Sequence, residues 1–89
     1  MKAVGAHITG RVQGVAFRAW TKVEAQSRGL SGWVRNEPDG SVRAVLAGPE
    51  PAVDEMLKAM EAGPPAAIVA TVEIEAATAP EDDGFAILR

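Results

Sequence analysis

The segment from Gly10 to Arg18 reads GRVQGVAFR, two glycines four residues apart with an arginine closing the run. Glycine allows backbone angles and close approaches that a Cβ forbids, and consecutive backbone N–H groups in a turn that opens a helix can converge on an anion. Arg18 adds a planar fork of donors matched to phosphate oxygens. The chemistry on offer is capture of a phosphoryl group by amides and a guanidinium. Spacing alone leaves two readings open, such a cradle or a plain strand-to-helix connector with a surface arginine, because the run is not a Walker sequence. A second polar residue, Asn36, ends an apolar run inside GWVRNEPDG, from Gly32 to Gly40.

The remaining inventory narrows the reaction. With no cysteine in 89 residues, thiolate nucleophiles, disulfides and thiolate metal sites are excluded. His7, the only histidine, lies in an alternating stretch without the arginine and glycine neighbours a phosphate-accepting nucleophile needs, and it reads as structural. Glu81, Asp82 and Asp83 read as a solvated turn, so neither a metal nor a cofactor is expected. Trp20 and Trp33 fall inside the apolar patterns of a helix and a strand and read as core, not as stacking platforms. Arg11 either adds positive potential for an incoming anion or points outward. The net charge of −3 argues against a nucleic-acid partner, which needs a basic face. Any phosphate must then be bound locally. No apolar run approaches the roughly 18 residues that span a bilayer, and the N-terminus lacks a signal pattern, so the expectation is a cytoplasmic protein with no membrane partner.

The elements that must position these residues follow from periodicity. Ala3 to Thr9 alternates, with Val4, Ala6 and Ile8 on one face, which predicts a strand. Apolar residues at Ala16, Ala19, Trp20 and Val23, continued by Ser27, approximate a helical stripe, so a helix is expected from about Phe17 to Arg28 with Gly29 as its stop. Ser31 to Asn36 and Ser41 to Ala47 read as two strands joined by Glu37, Pro38, Asp39 and Gly40, a type I hairpin turn. After Pro49 and Pro51, Val53, Met56, Leu57 and Met60 repeat at helical spacing and Gly63 ends the pattern. Ile68 to Ala76 and Phe85 to Leu88 supply the last two β segments.

This order predicts an α+β fold, a ferredoxin-like split β-α-β sandwich of βαββαβ type plus a short C-terminal strand, its antiparallel sheet carrying two helices on one face. At 89 residues a single domain spanning 1–89 is expected. Such a chain buries roughly two-thirds of its unfolded surface and is held by only about 4 to 13 kcal/mol.

Together, GRVQGVAFR and GWVRNEPDG resemble the acylphosphatase family, in which a GRVQGVxFR loop and a GWVxNxxxG strand-turn occur in this order, separated by one helix. The resemblance extends over essentially the whole chain, and Gly48, Pro49 and Glu50 with the terminal Phe85, Ala86, Ile87, Leu88 and Arg89 look like the family's later segments. It implies a metal-free hydrolase that splits the carboxyl-phosphate bond of acyl phosphates. Backbone amides of Val12, Gln13, Gly14, Val15, Ala16, Phe17 and Arg18 would surround the phosphoryl oxygens, Arg18 would bind them bidentately, and Asn36 would orient the attacking water. The family pattern often has a small hydroxyl residue after this asparagine, where this chain has Glu37. The implied partners are a small acyl phosphate as substrate and inorganic phosphate as product and inhibitor, handled by a monomer.

The implied reaction suits the inventory. The leaving carboxylate has a conjugate-acid pKa of about 4 and needs no general acid. An alkyl phosphate loses an alkoxide instead, and enzymes that cleave it recruit a nucleophile or metals. An RNA-binding module of the same architecture would carry strand aromatics and a basic sheet, unlike this chain. A non-catalytic anion sensor would keep the loop but has less need of Asn36. The similar module within carbamoyl-transferring maturation proteins normally precedes zinc-binding segments, which are absent here.

Overall fold

The computed structural model describes all residues from Met1 to Arg89. In chain order the elements are β1 (Lys2–Arg11), α1 (Phe17–Ser27), β2 (Ser31–Asn36), β3 (Val42–Gly48), α2 (Glu50–Ala62), β4 (Ile68–Ala76) and β5 (Phe85–Leu88). They form one five-stranded sheet in the order β4-β1-β3-β2-β5. β1 and β2 flank β3, and β3 and β4 flank β1, so each helix joins two parallel strands with a third between them. This is the expected split arrangement.

Pairing among β1 to β4 is antiparallel, but β5 runs parallel to β2, which makes the sheet mixed. The direction follows from topology. β4 runs opposite to β2, so a chain that reverses after β4 and settles on the far edge must run the same way as β2.

Alternation places Val4, Ala6, Ile8, Val34, Ala44 and Leu46 on one sheet face, where they are buried under the helices with Val53, Met56 and Met60 of α2. The α2 stripe lies where its spacing predicts. That of α1 does not: Phe17, Thr21 and Ala25 are buried, while Val23 is 62% exposed. Phe17 is the first helical residue and its ring is 1% exposed, so it sets the phase of the whole helix and turns the Ala19–Val23 side outward. Trp20 is half-buried against Phe17, with ring centroids 5.5 Å apart. Trp33 is not in the core. It neighbours Val34 on β2 and so points away from the helices, half-buried with the Arg35 guanidinium 4.8 Å from its ring centroid.

The α1 terminus is closed by a Schellman motif, with the Leu30 N–H donating to Ala25 O at 2.9 Å and the Gly29 N–H to Gln26 O at 3.1 Å. Buried Leu30 lies over this end, so the turn that stops the helix also aims the chain into β2.

β1 runs two residues past the expected Thr9, and its register with β4 shifts between Thr9 and Gly10. Thr9 faces Thr71 while Gly10 faces Val69, which leaves Ala70 as a bulge. At Gly10, φ is +118°, and a Cβ would lie 2.2 Å from Ile68 O and 2.6 Å from Ala70 N. Only glycine fits. The extra residue shifts the alternation of β4, so that Val69 and Val72 both pack on the core, while β1 keeps its own alternation and Val12, on the same face as Ile8, is 1% exposed. Gly10→Ala should therefore lower unfolding stability by more than about 1 kcal/mol, since the new methyl meets backbone in a disfavoured conformation. Urea unfolding measures it, and an unchanged midpoint would show that the bulge is not held by this contact.

Candidate active site

Between β1 and α1 the chain must turn through Val12 to Ala16. Val12 is buried and Val15 is packed on the core, which pins the loop at two points and leaves Gly14 exposed between them and Ala16 exposed just after. Gly14 has φ of +73° and Ala16 has φ of +63°, the only non-glycine residue with positive φ. For alanine this left-handed conformation costs about 1 to 2 kcal/mol. It lets the chain enter α1 in a single residue.

Ala16 is the N-cap of α1, yet it has no side-chain oxygen to accept an amide hydrogen bond, and no acidic residue lies in the first turn. The leading N–H groups of an α-helix have no intrahelical acceptor, so this end keeps its donors and the positive end of the helix dipole uncompensated. By contrast α2 begins with Glu50 and carries proline in its first turn, so it lacks one such donor and has a carboxylate nearby.

These features open into a cleft of about 730 Å³ lined by Val12, Gly14, Ala16, Phe17, Arg18, Ala19, Asn36, Ile87 and Arg89. Arg18 and Asn36, from different elements, thus face the same space. Neither Arg18 nor Arg89 forms a salt bridge, and no carboxylate side chain lines the cleft. The pocket is locally basic in a chain of net charge −3. Asn36 Oδ1 is buried with no hydrogen-bond partner. A group left in that state costs about 1 to 3 kcal/mol, and such costs cluster at working sites.

Of the remaining residues of the loop reading, Val12, Gly14, Ala16 and Phe17 line the cleft, whereas the side chains of Gln13 and Val15 turn away from it. Glu37 stands beside Asn36 in sequence but not in the cleft. Its carboxylate accepts a hydrogen bond from Arg35 Nε at 3.0 Å and lies 3.6 Å from Arg43 Nε, on the sheet face opposite the helices. Arg11 is exposed and does not line the cleft, which decides for the outward alternative. His7 is on the open sheet face, with Nδ1 3.8 Å from Glu73 Oε1. Glu81, Asp82 and Asp83 are exposed. In the β2–β3 turn, Asp39 accepts hydrogen bonds from Ser41 Oγ at 2.6 Å and Ser41 N at 2.9 Å. These hold its carboxyl below the usual carboxylate range, the hydroxyl contributing most.

Ile87 and Arg89 were not among the expected site residues. They reach the cleft because β5 pairs beside β2, with Ile87 opposite Val34 on the helix-facing side. The apolar run at the C-terminus signals a strand, but only the pairing shows which cleft it borders.

Comparison with known proteins agrees with this architecture. The acylphosphatase family model matches residues 4–87. The chain belongs to the acylphosphatase family. It is 54% identical over 89 residues to the acylphosphatase of Sinorhizobium medicae (strain WSM419), covering 99% of this chain and 95% of that one. It is 45% identical over 89 residues to that of Salinibacter ruber (strain DSM 13855 / M31), covering 99% and 94%. The crystal structure of the acylphosphatase from Bacillus subtilis superposes with a TM-score of 0.93 at 34% identity, covering 100% of both chains. The acylphosphatase relatives support an enzyme, a hydrolase acting on acyl phosphates.

The strain at Ala16 is open to measurement. Glycine there relieves about 1 to 2 kcal/mol of left-handed strain and adds about 0.5 to 1 kcal/mol of unfolded-state entropy. Ala16→Gly should therefore leave the protein as stable as before or stabilise it by up to about 1.5 kcal/mol. A clear loss of stability in chemical denaturation would mean that Ala16 is unstrained.

Proposed function

We propose that the loop and Asn36 share one reaction, direct hydrolysis of the carboxyl-phosphate bond by a positioned water. The observation that carries this reading is that Arg18, the uncompensated start of α1 and Asn36 face one cleft that no carboxylate side chain lines. Backbone amides from Val12 to Arg18 hold the phosphoryl oxygens, and the Arg18 guanidinium bridges two of them. Asn36 orients a water for in-line attack. The water oxygen forms the new P–O bond, and the electron pair of the breaking P–O bond leaves with the carboxylate. The water's protons pass to phosphate and solvent.

Charge spreading over the phosphoryl oxygens meets donors already in place, which is the main contribution expected in phosphoryl transfer. No general acid is required for a leaving group of pKa about 4. No three His, Asp or Glu side chains converge as a metal-binding set would, and we propose a metal-free, cofactor-free reaction. The proposed enzyme acts as a monomer. A cysteine-free sequence suits a reducing cytoplasm. Inorganic phosphate, carrying the same oxygens as the transferred group, acts as product and competitive inhibitor.

The reading is tested by assaying a simple acyl phosphate and an alkyl phosphate in excess chelator. Acyl phosphate should turn over fully while the alkyl phosphate remains intact, and activity lost to the chelator would overturn the metal-free route. A second experiment separates the two polar residues. Arg18→Lys keeps a charge but not the fork, so KM should rise, kcat fall and phosphate binding weaken. Asn36→Ala should keep phosphate affinity and lose roughly 10² to 10³ in kcat, or about 3 to 4 kcal/mol. Wild-type kcat in Asn36→Ala would leave that side chain no part in orienting water.

A further inference from the structure

Gln13 sits in the middle of the loop, but its side chain does not line the cleft. It crosses to the β2–β3 hairpin, where Nε2 donates to Glu37 O and to Ser41 O, each at 2.8 Å and partly buried. A primary amide has two N–H donors, and both are engaged here. No other side-chain hydrogen bond joins residues 12 to 16 to another segment.

The hairpin does not need these bonds for its own closure. Glu37 N–H already donates to Ser41 O at 2.8 Å, and Gly40 N–H to Glu37 O at 3.1 Å. The strand ladder runs up to the Asn36–Val42 pair without help from Gln13. What the two extra bonds do is tie the loop to the residue directly after Asn36 and to that residue's partner across the turn. The sheet alone relates the two segments only indirectly, since β3 lies between β1 and β2.

We infer that Gln13 is a positioning residue, setting the separation between the phosphoryl-binding loop and Asn36. This rests on the reading that Asn36 orients the water. In-line attack requires water and phosphorus in near-contact along the axis of the breaking bond, and a displacement of about 1 Å costs on the order of 10²-fold in rate. The loop holds one reactant and the hairpin the other. The Gln13 amide joins them with two hydrogen bonds of fixed geometry.

The test compares wild type, Gln13→Met, Asn36→Ala and the double variant by kcat, KM, inorganic phosphate affinity and thermal melting. Methionine keeps the shape and removes both donors, and each carbonyl retains one backbone donor, so folding should persist. Gln13→Met should lower kcat by roughly 10- to 100-fold with KM and phosphate affinity nearly unchanged. Added to Asn36→Ala, it should have little further effect, because the group it positions is gone. An unchanged kcat, an equal loss in both backgrounds, or a loss matched by weaker phosphate binding would each overturn the inference. Should Asn36→Ala retain wild-type kcat with Gln13 intact, the water-orienting reading fails first and the inference with it. If Gln13→Met does not melt as a native protein, Gln13→Asn, whose amide is one methylene too short to hold both carbonyls, carries the same expected and overturning results.

Discussion

Positive charge left without a partner is the condition on which this site depends. A small acidic protein has more than enough carboxylates to neutralise every arginine, and an anion site survives only if they stand elsewhere. Glu24 and Glu55 hold Arg28, Glu37 lies against Arg35 and Arg43, Glu75 takes Arg43, and Asp54 holds Lys2. The Lys2–Asp54 hydrogen bond also raises the lysine's pKa above its ordinary value. These surface pairs contribute little to stability singly. None of these carboxylates lines the cleft with Arg18 and Arg89. Glu37 shows this best: one residue from Asn36 in the chain, it lies on the opposite sheet face against two guanidiniums.

The same region concentrates local costs. Ala16 holds a conformation alanine disfavours, and Asn36 Oδ1 is buried without a partner. Each amounts to about 1 to 3 kcal/mol in a fold of only roughly 4 to 13. The core offsets them by continuity, running from Val4, Ala6 and Ile8 through Val34 and Leu46 to Met56 and Met60. Val12 and Phe17 belong to that core and bracket the loop, so the packing that stabilises the fold also holds the strained turn in place.

Much of this architecture was legible in the sequence because glycine and proline punctuate it. Gly29, the Pro38–Gly40 turn, Pro49 and Gly63 separate elements whose internal periodicities are clear. The buried face of α1 was not legible, since Ala19 and Val23 are apolar enough to pass for a core stripe and only packing shows that Phe17 sets the phase. Trp33 misleads for a related reason: a large aromatic in a strand can cover either sheet face. The direction of β5, and with it the arrival of Ile87 and Arg89 beside the cleft, depends on pairing between distant segments, which periodicity does not encode. For the site, residue types gave an anion cradle or a connector, and the likeness to a family, not spacing, suggested roles for Arg18 and Asn36. The side-chain link from Gln13 had no sequence signal, because an amide's partners here are main-chain carbonyls of any residue type.

The pairing of β1 with β4 has a kinetic side. Arg11, at the mouth of the loop, lies opposite Ile68, and Val4 opposite Ala76, so most of the chain intervenes between partners. Closing such long intervals loses chain entropy before any contact rewards it, which favours slow, concerted folding over assembly from local pieces. The bulge that Gly10 packs against, which lets Val69 and Val72 of β4 both reach the core, does not exist until those distant strands meet. No early fragment of the chain carries a half-built cradle: the anion site arises together with the completed sheet.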